Sequence, residues 1–345
     1  MSADSDVFPE RPETRPIPIT EWAADSEARV PQVRIAPHFY GLSLGLFAAT
    51  CLTTFYVGAS LFGQDPKTDF GGWFQAGLEY SAGVMTILLC HELGHYLQSL
   101  RYRIPTLPPL FIPMPLIPFG TMGAVIVQQA GVGNRRQIFD VAISGPLAGL
   151  VATIPILYLG LSQAKYIVIE QFQGVGTMTL GDPLLLTWMA EWILGPKPEG
   201  FDVQLNPLLH AGWLGVFITA LNLFPIGQLD GGHILYTLIG RRAHGVAQGI
   251  VFGAGGWILF TGNYSYLPML VLISLFGIRH RATADDTVSI GWFRAALGWA
   301  TLAFLIIGFT PNPITITEPD EAPVQVEPAP EPFPRRPLRH DEIEV

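Results

Sequence analysis

Charged residues are scarce in this 345-residue chain, at 14% of its composition, against roughly 25% in a typical soluble domain. Lysine and arginine together number only 19, and the formal net charge is −9. A basic surface for nucleic acid is therefore excluded. Hydrophobic residues make up 49% of the chain, and the mean hydropathy is +0.37. We therefore expect an integral membrane protein in contact with the lipid bilayer.

Cysteine is also rare. Cys51 and Cys90 both fall inside apolar stretches, so the sequence offers neither a disulfide framework nor a CxxC zinc site. The first residues lack a basic region followed by a short apolar run, and residues 1–38 contain seven acids. We therefore expect neither a cleavable signal peptide nor a transit peptide. On that ground a prokaryotic plasma (inner) membrane is the expected location.

The acidic residues are concentrated in two tails. Residues 1–38 hold seven and residues 311–345 hold eight of the 28 acidic residues, and both segments are rich in proline. Both tails are predicted to be disordered. The region between them, 39–310, is predicted to form one transmembrane domain.

Apolar runs predict an all-α polytopic membrane protein with about seven transmembrane helices, within a range of six to eight. The range reflects the run at 266–278, which is short for a span. The other predicted spans are 39–62, 72–100, 137–162, 207–226, 246–262 and 291–310. With the N-terminus inside, eight arginines fall in inner loops and three lysines in outer loops. This bias satisfies the positive-inside rule and puts the C-terminal tail outside.

The segment between the second and third spans does not read as a helix. Residues 104–119 contain six prolines, which forbid a regular helix. They are predicted to form a partly buried or re-entrant loop. Residues 120–129, GTMGAVIVQQ, combine glycines with β-branched residues and predict a short strand or a small membrane-associated β-hairpin.

The second span ends in the strongest motif of the chain, His91-Glu92-Leu93-Gly94-His95. Two histidines four residues apart share one helix face, so both imidazoles can reach one metal ion. The Glu92 carboxylate lies where it can contact a metal-bound water, as in zincins. An incidental polar cluster is the alternative, but ionisable side chains inside a membrane are costly without a function. We therefore expect a Zn²⁺ site.

A catalytic zinc site needs a third protein ligand. Asp230 is the best candidate, because it is one of few acids in the apolar region and the glycines after it let the backbone come close. The alternative is that Asp-Gly-Gly is simply a turn at a membrane boundary. His233 is interpreted as a supporting residue, and Glu79 and Asp140 as structural acids near span ends.

Three motifs carry a resemblance to a known family. HELGH, SGPLAGL and NLFPIGQLDGGH follow one another and resemble the site-2 protease family of intramembrane zinc metalloproteases over about residues 70–245. GTMGA together with the last motif is similar to the branch found in cyanobacteria and plastids. The resemblance implies that His91, His95 and Asp230 bind zinc. It implies that Glu92 is the general base.

The resemblance also implies a substrate: a transmembrane helix of a single-span membrane protein, cleaved near the cytosolic face. Asn222 would help to hold the substrate backbone, the alternative being a hydrogen bond between helices. The segment with Gly120 and Gly123 would lie near the active site and pair with the unwound substrate as an added strand, or would form a simple membrane hairpin. The loop 163–206, with an amphipathic stretch near Leu184–Leu194, is too short for the PDZ domain of many family members.

Two other functions fit a buried metal-binding cluster. One is a non-catalytic zinc-binding scaffold or chaperone, although Glu92 argues against it because structural zinc sites usually have a fourth protein ligand. The other is a metal transporter, although HELGH and LDGGH have no second copy in the chain and transporters often contain internal repeats. The sequence therefore favours a zinc metalloendopeptidase in which water activated by zinc is the nucleophile.

Overall fold

The computed structural model describes residues 37–129, 131–169, 177–262, 264, 267 and 283–317. Most of the predicted tail 1–38 lies outside these residues, and so do residues 318–345. The predicted span 266–278 also lies outside them, apart from Leu267. The predictions for those segments stay predictions.

The described chain is mostly helical. Its helices are α1 (Pro37–Phe62), α2 (Phe70–Arg101), α3 (Arg135–Gln163), α4 (Leu184–Leu194), α5 (Pro207–Asn222), α6 (Asp230–Ile239), α7 (Arg242–Thr261) and α8 (Trp292–Gly308). Its strands are β1 (Leu110–Met114), β2 (Gly120–Val125), β3 (Tyr166–Val168), β4 (Thr177–Leu180), β5 (Phe201–Val203) and β6 (Ile314–Thr317). The strands pair as β1 with β2, β3 with β5 and β4 with β6, all antiparallel.

Three helices of the described part, α1, α3 and α7, are long and apolar enough to cross a membrane by length and composition. Helix α2 has 32 residues, about 48 Å at 1.5 Å per residue, but it carries the HELGH motif and further polar side chains. Helices α5 and α8 are apolar and have 16 and 17 residues. The count of seven spans therefore stays a prediction.

The core of the bundle lies where α2, α3 and α5 meet. Tyr80 of α2, Leu157 of α3 and Trp213 of α5 are fully buried there. Close packing depends on a glycine, since a Cβ at Gly212 would lie 2.7 Å from the Leu157 Cα. Helix α1 packs on α2, and α6 packs on α3.

The fourth predicted span, 207–226, is longer than the helix that the structure contains. Helix α5 ends at Asn222, and α6 begins at Asp230. The early end has a local cause, because Pro225 disfavours helical backbone at the residue before it and Gly227 has a φ of +54°. The break leaves Asn222 at the end of one helix and Asp230 at the start of the next.

The predicted strand or hairpin at 120–129 is confirmed. Strand β2 pairs with β1, with Leu110 opposite Val125 and Met114 opposite Gly120. The prediction that 104–119 forms only a loop is wrong, since residues 110–114 supply the partner strand. Pro113 is tolerated because a two-stranded sheet consists of edge strands, and the register shifts between Phe111 and Pro113.

The described residues of the segment 163–206, called here the 163–206 layer, contain helix α4 and strands β3, β4 and β5, and α4 contacts α3 and α8. The predicted amphipathic stretch is helix α4, Leu184–Leu194. The prediction of a disordered tail from residue 311 is wrong for Ile314–Thr317, which pairs with Thr177–Leu180 of this layer. Alternating Ile and Thr are β-branched and favour a strand once a partner is present. The end of α8 is thereby tied to the 163–206 segment.

Candidate metal centre

His91, His95 and Asp230 meet in the interior of the bundle. Asp230 Oδ2 lies 3.3 Å from His91 Nε2 and 3.2 Å from His95 Nε2. The two Nε2 atoms are 3.2 Å apart. The two histidines stand on successive turns of α2, and Asp230 is the first residue of α6. Three potential ligand atoms from two helices therefore surround one point.

The ring of His95 is oriented by the backbone of α3. Its Nδ1 lies 2.8 Å from the carbonyl oxygen of Val141. Because a carbonyl only accepts, Nδ1–H must be the donor, and in the neutral ring Nε2 is then left unprotonated. A hydrogen bond of this kind fixes the tautomer and the angle of a metal-binding histidine.

Two glycines of α3 make room for the imidazoles. A Cβ at Gly145 would clash directly with Nε2 of His95, and one at Gly149 would lie 3.1 Å from Nδ1 of His91. The hydroxyl of Ser144 donates to the Gly94 carbonyl at 2.9 Å, which ties α3 to the HELGH segment. The GxxxG pair of SGPLAGL thus brings α3 close to α2 beside the two histidines.

A cavity of about 420 Å³ opens beside the three potential ligands. The Glu92 side chain lines it and is almost completely buried, with 5% of the residue exposed. Asn222 lines it too, with Nδ2 3.4 Å from His91 Nε2. Other lining residues come from the hairpin, namely Ala124, Val125, Ile126 and Gln128.

The three side chains fit a zinc ion. Among the described residues they are the one group of three His, Cys, Asp or Glu whose ligand atoms lie within 4.8 Å of one another. Two imidazole nitrogens and one carboxylate oxygen are ligands that zinc prefers, and a fourth position facing a cavity is typical of catalytic sites. Burial of the pair of histidines and the carboxylate at one point is costly unless a cation compensates it.

The other residues predicted to take part in the site do not all reach the cavity. Asn222 lies in the cavity wall, and its distance to His91 is compatible with both of its predicted roles. Gly120 does not reach the cavity, because it packs against α1, where its carbonyl accepts a hydrogen bond from Thr53 at 2.7 Å. Gly123 comes just before the hairpin residues that line the cavity. His233 lies in the wall as well.

Glu79 and Asp140 lie away from the three potential ligands. Glu79 accepts a hydrogen bond from Gln75 at 2.7 Å. Asp140 binds Arg294 of α8 through both carboxylate oxygens, at 2.7 and 3.0 Å. It also accepts from Tyr102, whose pKa is raised by burial and then by this hydrogen bond. These contacts fit the structural roles predicted for the two acids.

Sequence reasoning missed the backbone support of the site. The Val141 carbonyl is a backbone group, so the type of residue 141 carries no signal of its role. The hairpin was expected near the active site, but the sequence did not indicate which residues of this segment line the cavity, namely Ala124, Val125, Ile126 and Gln128. Tertiary packing decides both.

Comparisons with known proteins agree with this geometry. A sequence model of peptidase family M50 matches residues 79–261. The chain is 27% identical over 243 residues to "Probable zinc metalloprotease EGY1, chloroplastic" of Arabidopsis thaliana, covering 68% of this chain and 43% of that protein. The rice (Oryza sativa subsp. japonica) protein of the same name is 31% identical over 237 residues, covering 65% and 39%.

A third relative is "Probable zinc metalloprotease EGY3, chloroplastic" of Oryza sativa subsp. indica, 24% identical over 314 residues, or 87% of this chain and 53% of that protein. The chain thus spans about half or less of the length of these relatives. Their names agree with the predicted likeness to the plastid branch. Because the family model covers more than half of the chain, this protein belongs to peptidase family M50, the site-2 protease family of zinc metalloproteases.

Proposed function

We propose that this protein is an intramembrane zinc metalloendopeptidase that cleaves a peptide bond within or next to a transmembrane helix of another membrane protein. One observation carries the proposal. Two histidines of α2 and the aspartate that begins α6 converge to within 3.3 Å inside a bundle of apolar helices, with Glu92 buried in the same cavity. A scaffold needs no buried carboxylate beside an open metal position.

His91, His95 and Asp230 would hold the zinc ion. When bound, zinc supplies Lewis-acid polarisation of the scissile carbonyl and lowers the pKa of water. The Glu92 carboxylate takes a proton from the attacking water and then gives it to the leaving nitrogen. The Val141 carbonyl keeps the proton of His95 on Nδ1, so that Nε2 stays available as a ligand. Asn222 offers its carboxamide to the substrate backbone.

The proposed substrate is a single-span membrane protein. An intact helix hides its peptide bonds, so the segment must unwind before it is cut. Ala124 and Val125 of β2, with Ile126 and Gln128 just after it, lie in the wall of the same cavity, and an extended peptide can add to a strand edge through main-chain hydrogen bonds. Gly120 and Gly123 serve this role indirectly, by shaping the strand that precedes the cavity-lining residues.

We also propose a location and an orientation. The host is a prokaryotic plasma membrane, and the active site lies near its cytosolic face. Arg101 and Arg103 follow the HELGH helix, and Arg135 begins the helix that packs beside it. An arginine-rich end of this kind is typical of the cytosolic side.

The proposal is tested with the purified protein in lipid nanodiscs and a panel of single-span reporter proteins. We expect wild type to produce fragments cut within or next to the span. Glu92→Gln should slow cleavage by roughly 10²–10⁴-fold, the usual contribution of general acid–base catalysis, while keeping its zinc. Asp230→Ala should lose both zinc and cleavage. A comparison of membrane proteomes with and without active enzyme would then identify the natural substrate.

Glu79→Gln is the matched control, since Glu79 lies on the same helix and its carboxylate accepts a hydrogen bond from Gln75. It should cleave like wild type. Cleavage by Glu92→Gln at the wild-type rate would overturn the mechanism. Zinc binding without cleavage of any reporter would support a scaffold instead, and zinc uptake into sealed vesicles would support a transporter.

A further inference from the structure

Helix α3 provides none of the three ligands, yet it contacts both helices that do. Toward α2, its Val141 carbonyl orients His95. Toward α6, Arg135 donates from Nε to the Thr237 carbonyl at 2.7 Å and from Nη2 to the Leu238 carbonyl at 3.2 Å. One helix therefore connects the histidine pair and the helix that begins with Asp230.

Arg135 supplies hydrogen-bond donors to backbone carbonyls at the C-terminal end of a very short helix. Helix α6 has ten residues, and its last carbonyls have no partner within the helix. The Tyr236 carbonyl accepts from Gly240 N–H at 2.8 Å. The next two carbonyls accept from Arg135. A cation at a helix C-terminus also interacts favourably with the helix dipole, so one partly buried guanidinium replaces the two N–H donors that two further helical residues would supply.

The other end of α6 is closely fitted. A Cβ at Gly231 would clash with the Leu223 carbonyl, and one at Gly232 would lie 2.6 Å from the Gly227 carbonyl. The helix therefore rests directly against the turn that follows α5. Because it is only about 15 Å long at 1.5 Å per residue, a displacement at its C-terminal end moves Asp230 as well.

A second contact holds the same end of α6. The Tyr236 hydroxyl donates to Asp286 at 2.8 Å, and Asp286 also accepts from Thr283 at 2.6 Å. The backbone of this loop is in turn tied to the start of α3, since Arg135 N–H donates to the Asp285 carbonyl at 3.1 Å. The start of α3 is thus hydrogen-bonded to α6 both directly and through the 283–286 loop.

From these contacts we propose that Arg135 is a positioning residue of the metal centre. By holding the C-terminal carbonyls of α6 it sets the place of the Asp230 carboxylate against the two histidines. Arg135 does not touch the three ligands itself, and its effect travels through a rigid ten-residue helix. This inference rests on the proposed zinc site.

The test measures zinc itself. The dissociation constant for Zn²⁺ is determined by chelator competition for the full chain in nanodiscs, and the absorption spectrum of Co²⁺ at the site reports ligand geometry. Arg135→Gln should weaken Zn²⁺ binding by about 10-fold or more, the effect typical of removing outer-shell support, and should change the Co²⁺ spectrum. Arg135→Lys should recover part of the loss, because it keeps the charge and one donor.

Arg136→Gln is the matched control. Arg136 is the next residue of α3, but its guanidinium donates to the Ser289 carbonyl, at 2.9 and 3.3 Å, rather than to α6. It should bind zinc like wild type. If Arg135→Gln unfolds at a lower temperature but binds Zn²⁺ as tightly as Arg136→Gln, the residue only stabilises the fold and the proposal is overturned.

A second variant tests the proposal in case Arg135→Gln does not fold. Tyr236→Phe removes the hydroxyl that bonds Asp286 and leaves the ring in place. It should weaken Zn²⁺ binding severalfold, and unchanged binding would overturn the idea that anchoring of this helix end sets the metal site. A wild-type protein that binds no Zn²⁺ would refute the proposed function instead, so the two failures are distinguishable.

Discussion

At the scale of single residues, the site depends on a glycine without a Cβ and on a backbone carbonyl, as well as on the three potential ligands. Gly145 contributes only the absence of a Cβ next to His95, and Val141 contributes only its carbonyl. Both belong to α3, which packs against the HELGH segment. Metal binding in this protein should therefore be sensitive to small changes on α3 that introduce no charge and remove no ligand.

Gly145→Ala is the sharpest such change. Its methyl group would clash with Nε2 of His95, so the ring must move and we expect at least a 10-fold loss of Zn²⁺ affinity. Gly149→Ala should be milder, because its Cβ would lie 3.1 Å from His91 Nδ1 and a shift of a few tenths of an ångström relieves the contact. Zinc retained after dialysis against a graded series of chelator concentrations measures both.

Gly253→Ala serves as the control for helix glycines. It lies in α7 with nothing within 4 Å of an added Cβ, so zinc content should not change. If Gly145→Ala retained zinc as well as Gly253→Ala does, the packing of α3 on the His95 ring could not be what shapes the site.

At the scale of elements, the hairpin both packs on α1 and contributes residues to the cavity wall. Strand β1 packs on α1, where a Cβ at Gly120 of the partner strand would lie 2.7 Å from the Thr54 Cα. One side of the hairpin is therefore fixed to the bundle. Ala124, Val125, Ile126 and Gln128 line the cavity. The proposed strand addition would use main-chain groups of these residues.

Gly123→Ala tests this role. Gly123 has a φ of +95° and open space around it, so alanine adds backbone strain of about 1–2 kcal/mol and no clash. We expect the strain to reshape the strand just before the cavity, raising KM for a reporter substrate severalfold while zinc content stays unchanged. Cleavage kinetics and metal analysis on the same preparation make the comparison.

Gly131→Ala is the matching control, because Gly131 also has a positive φ, +75°, with nothing within 4 Å of an added Cβ. It lies outside the hairpin and the cavity wall. An equal change in KM for both variants would mean that the effect is general strain, and strand addition at 124–128 would lose its support.

At the scale of the whole molecule, hydrogen bonds between the described residues show which helix ends lie together. Tyr102 after α2, Asp140 early in α3 and Arg294 early in α8 bond one another, so these three ends share one side. Strand β6 after α8 pairs with β4 of the 163–206 layer. The residues that follow α8 are therefore on the same side as that layer, as the predicted topology requires.

The topology predicts which positions a membrane-impermeant maleimide reaches. In a background with Cys51 and Cys90 replaced by alanine, cysteine at Lys197 or Thr315 should be labelled in intact cells. Cysteine at Arg101 or Arg241 should be labelled only after permeabilisation. Labelling of positions 197 and 315 from opposite sides would contradict the pairing of β4 with β6. Labelling of position 101 from outside would mean that the proposed orientation is the wrong way round.

Part of the structure could be predicted from the sequence because it depends on residues that are close together in the chain. The helix period alone brings His91 and His95 to one face, and apolar runs alone mark most of the helices. Glycines and β-branched residues predicted the strand or hairpin at 120–129. The same local reading failed where a partner was required: residues 110–114 and 314–317 form strands only because another strand pairs with each of them.

The sequence by itself determined the membrane character, the metal-binding motif, the third ligand candidate and the family resemblance, since each depends on composition or on short-range spacing. Only the tertiary structure decided that the Val141 carbonyl orients His95, that Arg135 holds the helix beginning with Asp230, and which residues of the hairpin segment line the cavity. These depend on backbone groups and on contacts between segments far apart in the chain. Such contacts leave no periodic or compositional pattern, so packing had to reveal them.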